Sequence, residues 1–224
     1  MTTERINGIR CDFESANRNK VVYLIYPEMM AFTPELIQQT ATMYNVSIVC
    51  VYVPSDQWNN YLTPWAEPGE AKGFPPFAGL AYEFFTTLKQ KIIPTVEMTL
   101  GMSPEAERDL IGVSLSGLFA LWQWIDNDIF HSIASLSGSF WYAGFMEWFN
   151  TQTISKKSGK AYFLLGRDEP KAKIKAYQTV GVDTQDIINR LGEIGIDVSF
   201  QWVPGNHFAN PLSRLQLAFT ALCG

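Results

Sequence analysis

The stretch Ile111–Ala120, IGVSLSGLFA, sets a serine between two segments of opposite periodicity. Before it, Asp109–Val113 (DLIGV) is short, apolar and β-branched, the pattern of a buried strand. After it, LSGLFALWQWI has helical character. A serine on a sharp strand-to-helix turn, flanked by small residues, is the pattern G-x-S-x-G of a nucleophile elbow. The strained turn aims the hydroxyl into a cleft, and the close approach of strand and helix demands small residues two before and two after it. Gly112 meets the first demand. Ser116 stands at the second, where glycine is usual, and Gly117 follows. Ser114 is therefore the candidate nucleophile. The competing reading of the same stretch is a Gly/Ser-rich turn with no chemistry, so the rest of the chain has to decide.

Outward from this turn, strands and helices alternate. Val21–Tyr26 (VVYLIY) and Val46–Val53 (VSIVCVYV) read as buried strands. Between them Thr33-Pro34 gives a helix start, threonine as N-cap and proline at the first helical position, for a helix through ELIQQTATMY. A Pro- and Trp-rich loop runs from Pro54 to about Pro76. The helical stretch AGLAYEFFTTLKQKI follows it and is expected to stop near Pro94. Phe130–Leu136, Ala161–Leu165 and Val198–Val203 read as further strands. Ile187, Ile188, Leu191 and Ile194 fall at helical spacing before Gly195, and Pro211–Cys223 reads as a closing helix. The alternation predicts a single α/β domain over residues 1–224, with a mostly parallel sheet covered by helices on both faces. No repeat, low-complexity tract or linker interrupts it.

Composition narrows the function classes. Apolar residues make up 47% of the 224 and charged residues 17%, a balance suited to a globular protein with a substantial core. A net charge of -5 without a basic cluster disfavours nucleic acid as a partner. The N-terminus lacks an apolar h-region, and no stretch approaches the ~20 apolar residues of a membrane span, so neither a signal peptide nor a membrane is expected. Cys11, Cys50 and Cys223 show neither disulfide nor zinc spacing, which suits ordinary thiols in a reducing, cytoplasmic setting.

A serine nucleophile needs a base, and the chain has two histidines. His131 sits within the strand pattern FHSIASL and reads as structural. His207 follows the last strand in the turn-rich VPGNHFANP, at a C-terminal strand end, where open α/β sheets place their sites. A carboxylate must orient the imidazole, and in a Ser–acid–His order Asp168 and Glu169 are the candidates. Both follow the strand AYFLLG, and Glu169, three residues beyond Gly166, is preferred.

Taken in order, GVSLSGLFAL around Ser114, SLSGSFWY at Ser135–Tyr142, LLGRDE at Leu164–Glu169 and GNHF at Gly205–Phe208 resemble the Putative esterase family of α/β-hydrolases. That group contains esterase-D-like enzymes, siderophore esterases and mycolyl acyltransferases. The resemblance covers about residues 20 to 220. It implies an α/β-hydrolase fold and a Ser–Asp/Glu–His triad acting without metal or cofactor; at 224 residues the chain leaves little room for a large cap domain, so an open cleft favouring small or surface-accessible esters is expected. The resemblance supports Glu169 as the acid. Acyl transfer also needs oxyanion donors. One is expected from the N–H of Leu115. The other is expected from the YPEMM loop, where Pro27 has no N–H and Glu28 or Met29 must donate. Trp58, Tyr61 and Trp65 of the long loop, and Trp141 and Tyr142 of the SFWY segment, are candidates to line the substrate cleft, unless they pack their loops against the domain. The aromatic run through Phe145, Trp148 and Phe149 reads either as core or as the surface of a homodimer. An acyltransferase or thioesterase with the same triad is the alternative within this chemistry. A non-catalytic binding protein on the same fold is the alternative outside it.

Overall fold

The structure, a computed structural model, describes residues 1–155 and 158–224. Its strands are β1 (Thr2–Ile6), β2 (Ile9–Glu14), β3 (Lys20–Pro27), β4 (Ser47–Val53), the two-residue β5 (Ala66–Glu67) and β6 (Phe77–Ala78), β7 (Glu107–Val113), β8 (Ser132–Leu136), β9 (Lys160–Gly166) and β10 (Asp197–Val203). Its helices are α1 (Pro34–Tyr44), the single turn α2 (Trp58–Tyr61), α3 (Ala81–Thr87), α4 (Ile93–Leu100), α5 (Leu115–Asp126), α6 (Phe145–Thr151), α7 (Val180–Glu193) and α8 (Pro211–Cys223).

Eight strands form one sheet in the order β1-β2-β4-β3-β7-β8-β9-β10. From β4 to β10 every neighbour is parallel, and β2 and β1 extend the β4 edge antiparallel. Alternation along β3 shows why both faces are covered. Val21, Tyr23 and Ile25 enter one apolar core with residues of α3 to α7, while Val22, Leu24 and Tyr26 enter another with α1 and α8. The mostly parallel, doubly covered sheet is the architecture the alternating pattern predicts, and no large cap domain is inserted. The N-terminal hairpin β1–β2 is an addition to it. Its turn is Asn7-Gly8, with φ of 51° and 82°, the pairing that favours a two-residue hairpin.

The helix expected to stop near Pro94 continues instead. A π-helical turn over Leu88–Ile92 joins α3 to α4, with Pro94 in the first turn of α4. A proline there gives up an N–H that the start of a helix does not use. The widened turn lets Leu88, Ile92, Ile93 and Val96 all reach the core. Phe145 and Phe149 have no exposed surface and enter the core, while Trp148 packs against that core and is only partly buried. Among the described residues, no helix is long and apolar enough to cross a membrane.

β3 and β7 lie side by side, yet the chain runs outward from β3 to β4 before returning to β7. That reversal leaves a crevice beyond the C-terminal ends of β3 and β7, the usual place for a ligand in such a sheet.

Candidate active site

Ser114 occupies this crevice. It joins β7 to α5 with φ 57° and ψ -122°, a conformation that costs a non-glycine residue energy and persists only where its surroundings enforce it. The surroundings here are tight. A Cβ on Gly112 would lie 2.0 Å from the Ser116 carbonyl oxygen, so only glycine fits two residues before the nucleophile position. Ser116, the departure from the usual glycine, is fully buried and satisfied. Its Oγ accepts the Val113 N–H at 2.7 Å, and its proton is offered to the carbonyls of Ile25 and Val113, each 2.8 Å away. The hydroxyl thus stitches the elbow to β3. Ser114 Oγ itself lies 3.4 Å from Ser139 Oγ, and the Ser139 N–H donates to the Ser114 carbonyl at 3.1 Å. No hydrogen bond joins Ser114 to His207 among the described residues. Catalytic contacts of this kind commonly tighten only once substrate is bound.

The acid and base meet across two loops. Glu169 begins the short turn after β9, His207 lies in the loop after β10, and their Oε2 and Nδ1 are 2.8 Å apart. An ionised carboxylate only accepts, so Nδ1 carries the proton and the Nε2 lone pair is left for a substrate-side proton. Glu169 Oε1 accepts from the Gly166 N–H at 2.6 Å, from Ser137 Oγ at 2.7 Å and from Arg214 Nη1 at 3.1 Å. Burial alone would raise the Glu169 carboxyl. The hydrogen bond and charge of His207, with the bonds from Ser137 and Gly166, outweigh it and hold the group below the ordinary carboxylate range. Asp168, the other candidate acid, points to solvent and pairs with Lys171 at 2.7 Å. Both residues line the same cleft, but Glu169 is buried against His207 while Asp168 stays half exposed at the rim.

Ser114, Leu115, Glu169 and His207 share the lining of a cleft of about 560 Å³. Leu115 opens α5, so its N–H faces the crevice at a positive helix end. Glu28 and Met29 form a 3₁₀ turn directly after β3; neither lines this cleft, Met29 lines a second groove with Pro27, Ser55 and Trp58, and the Glu28 side chain pairs with Arg5. Of the aromatic candidates, Trp58 and Trp141 line the cleft. The other three pack elsewhere. Tyr61 stacks on Phe84, Trp65 Nε1 donates to the Ala143 carbonyl, and the Tyr142 hydroxyl donates to the Trp65 carbonyl at 2.6 Å. The two hydrogen bonds and the ring stacking tie the long loop to the domain.

A family model described as Putative esterase matches residues 28–190. The chain belongs to that family. The matched region includes Ser114 and Glu169, and the fold brings His207 to them from outside it. Among curated proteins, the chain is similar to the uncharacterized protein YbbA of Bacillus subtilis (strain 168), 25% identical over 144 residues. The alignment covers 63% of this chain and 57% of that protein, less than two thirds of its length. Among solved structures, an IroE-like serine hydrolase from Shewanella oneidensis superposes with a TM-score of 0.81 at 15% identity, over 99% of this chain and 79% of that one. The siderophore hydrolase EstB from Aspergillus nidulans gives 0.70 at 16% identity, over 99% and 94%. These likenesses show a shared α/β-hydrolase fold.

Three residues of this esterase-family site escape a motif reading. Ser137, at φ 52°, is buried between Glu169 and Arg214. Its signal was only its place in the strand-end segment SLSGS. Ser139 touches Ser114 from the same segment. Arg214 is fully buried in α8, where it shares a helical stripe with Leu215, Ala218, Phe219 and Leu222. A lone charge on such a stripe is the sequence signal that would have found it. His131 lies at the opposite end of the sheet, near Glu107 at 3.3 Å and Asp109 at 3.9 Å. Lys20 already pairs with both carboxylates, so this cluster reads as structural.

Proposed function

We propose that the protein is a carboxylic ester hydrolase in which Ser114 attacks the ester carbonyl, His207 accepts its proton and Glu169 orients the imidazole. The observation that carries this reading is the Glu169–His207 pair at 2.8 Å, in one cleft with a serine held at φ 57°. In the first step the Oγ–C bond forms as the Ser114 proton passes to His207 Nε2. The tetrahedral oxyanion is received by the backbone N–H of Leu115 and by that of Glu28 or Met29. Collapse expels the alcohol, protonated by His207, and leaves an acyl-enzyme. Water, activated by the same imidazole, then releases the acid.

The substrate is a small-molecule ester whose bulk rests between Trp58 and Trp141. Siderophore esters head the panel to try, since the fold is shared with the siderophore hydrolase EstB. We place the protein in a reducing, cytoplasmic setting, as one domain over residues 1–224 and without a nucleic-acid partner. The free cysteines, the continuous sheet and the net charge of -5 support these readings. Rapid mixing with p-nitrophenyl acetate tests the chemistry. Wild type is expected to release a burst of nitrophenolate with an acetyl group on Ser114, and Ser114→Ala is expected to show neither. Equal turnover by wild type and Ser114→Ala overturns the proposal.

A further inference from the structure

Arg214 lies beneath the acid–base pair and touches every loop that builds it. Nη1 donates to Ser137 Oγ at 2.6 Å, Glu169 Oε1 at 3.1 Å and the His207 carbonyl at 3.4 Å, and Nη2 donates to the Asn206 carbonyl at 2.6 Å. Among the described residues Nε has no hydrogen-bond partner, and the bonds of both terminal nitrogens all go to this one junction. The loops after β8, β9 and β10 are separate stretches of chain, and one planar cation from α8 clamps all three. Gly166 shows how close the clamp is. A Cβ there would lie 2.7 Å from Arg214 Nη2 and 2.8 Å from Glu169 Oε1.

An acid that serves a Ser–His pair has no need of a buried cation on its other oxygen. The positive charge offsets part of the Glu169 charge that would stabilise the imidazolium. We infer that Arg214 is a positioning residue with an electrostatic role: it fixes Glu169 and the His207 loop, and it lowers the proton affinity of His207. The base is thereby kept neutral and able to accept the Ser114 proton at lower pH than a Glu–His pair alone would allow. The other charged groups around the imidazole are weaker claimants. Lys171 is paired with Asp168 on the rim, and Lys173 and Glu70 line the outer cleft.

This inference rests on the triad reading above, so its test is independent of turnover. The chain has two histidines, and His131→Gln removes the second signal from an imidazole-labelled sample. NMR titration of His207 is then compared in wild type, Arg214→Lys, Arg214→Met and Arg214→Gln. Arg214→Met is expected to raise the His207 midpoint by about one pH unit or more, and Arg214→Lys to leave it within a few tenths. Arg214→Gln keeps hydrogen-bond donors at the junction without the charge and is expected to raise the midpoint as Arg214→Met does. An unmoved midpoint in a folded Arg214→Met protein overturns the inference. If Arg214→Met does not fold, Arg214→Gln stands in its place, and an unmoved midpoint there overturns the inference. Failure of the triad reading would show instead as loss of Ser114 acylation, with these midpoints unaffected.

Discussion

Glu169→Gln is the sharpest perturbation of the site, because the surrounding donors dictate how the amide must sit. Oε1 of the wild-type carboxylate receives three donors, the Gly166 N–H, the Ser137 hydroxyl and the Arg214 guanidinium. An amide nitrogen cannot replace an acceptor facing three donors, so the glutamine oxygen takes that position. Its NH2 then faces His207 Nδ1, where Oε2 had accepted at 2.8 Å. Nδ1 must now accept, the proton moves to Nε2, and the lone pair facing Ser114 is lost. The same tautomer error in a Ser–His–Asp protease lowers kcat about 10⁴-fold, or ~5.4 kcal/mol of transition-state free energy. A loss of 10³- to 10⁴-fold in kcat/KM on a p-nitrophenyl ester is expected here, with far-ultraviolet circular dichroism unchanged. A folded Glu169→Gln enzyme within ten-fold of wild type would refute the geometric argument and with it the role of Glu169.

Three further outcomes follow from the same structure. Ser116→Ala removes the acceptor of the buried Val113 N–H and should cost about 1–3 kcal/mol in urea unfolding; a change under a few tenths would mean that the hydroxyl does not stitch the elbow. Glu169 is held below the ordinary carboxylate range, so its stabilising contribution is complete above that range and fades as pH falls through its folded value. The acid limb of stability should therefore be shallower in Glu169→Gln, and parallel limbs would contradict the assignment. Burial pushes the Cys11 and Cys50 thiols up to about 12 and Cys223 to about 11. Iodoacetamide at pH 8 should modify none of them quickly until denaturant is added, as mass spectrometry would show.

The strands that carry the site were legible because they are buried on both faces, which writes them as continuous apolar runs such as VVYLIY and AYFLL. The closing helix is legible from Pro211 at its first position and from its apolar spacing. The N-terminal hairpin is marked in the sequence only by Asn7-Gly8, because its outer strand β1 is largely exposed and has no apolar run. At the α3–α4 junction Pro94 reads as a stop in the sequence, whereas the π turn before it places it at a fresh helix start. At the site, Ser114, Glu169 and His207 were readable from their places at strand ends. Asp168 and Glu169 could not be separated by pattern alone, since the choice depends on how the turn after β9 rolls. Tyr61, Trp65 and Tyr142 were expected near the substrate because aromatic loops at that edge can line a cleft. Their internal hydrogen bonds and stacking depend on long-range contacts that spacing does not reveal. Arg214 was hidden for the same reason: its partners come from three loops far away in the chain.

The central claim is that Ser114 and His207 work as a nucleophile–base pair. Peptide-mapped mass spectrometry after exposure to a fluorophosphonate probe tests it most directly, comparing wild type with Ser114→Ala and His207→Ala. The account predicts a phosphonyl adduct confined to Ser114, absent from Ser114→Ala and nearly abolished in His207→Ala. A folded wild-type protein that takes no label, or one labelled on another serine, would contradict it.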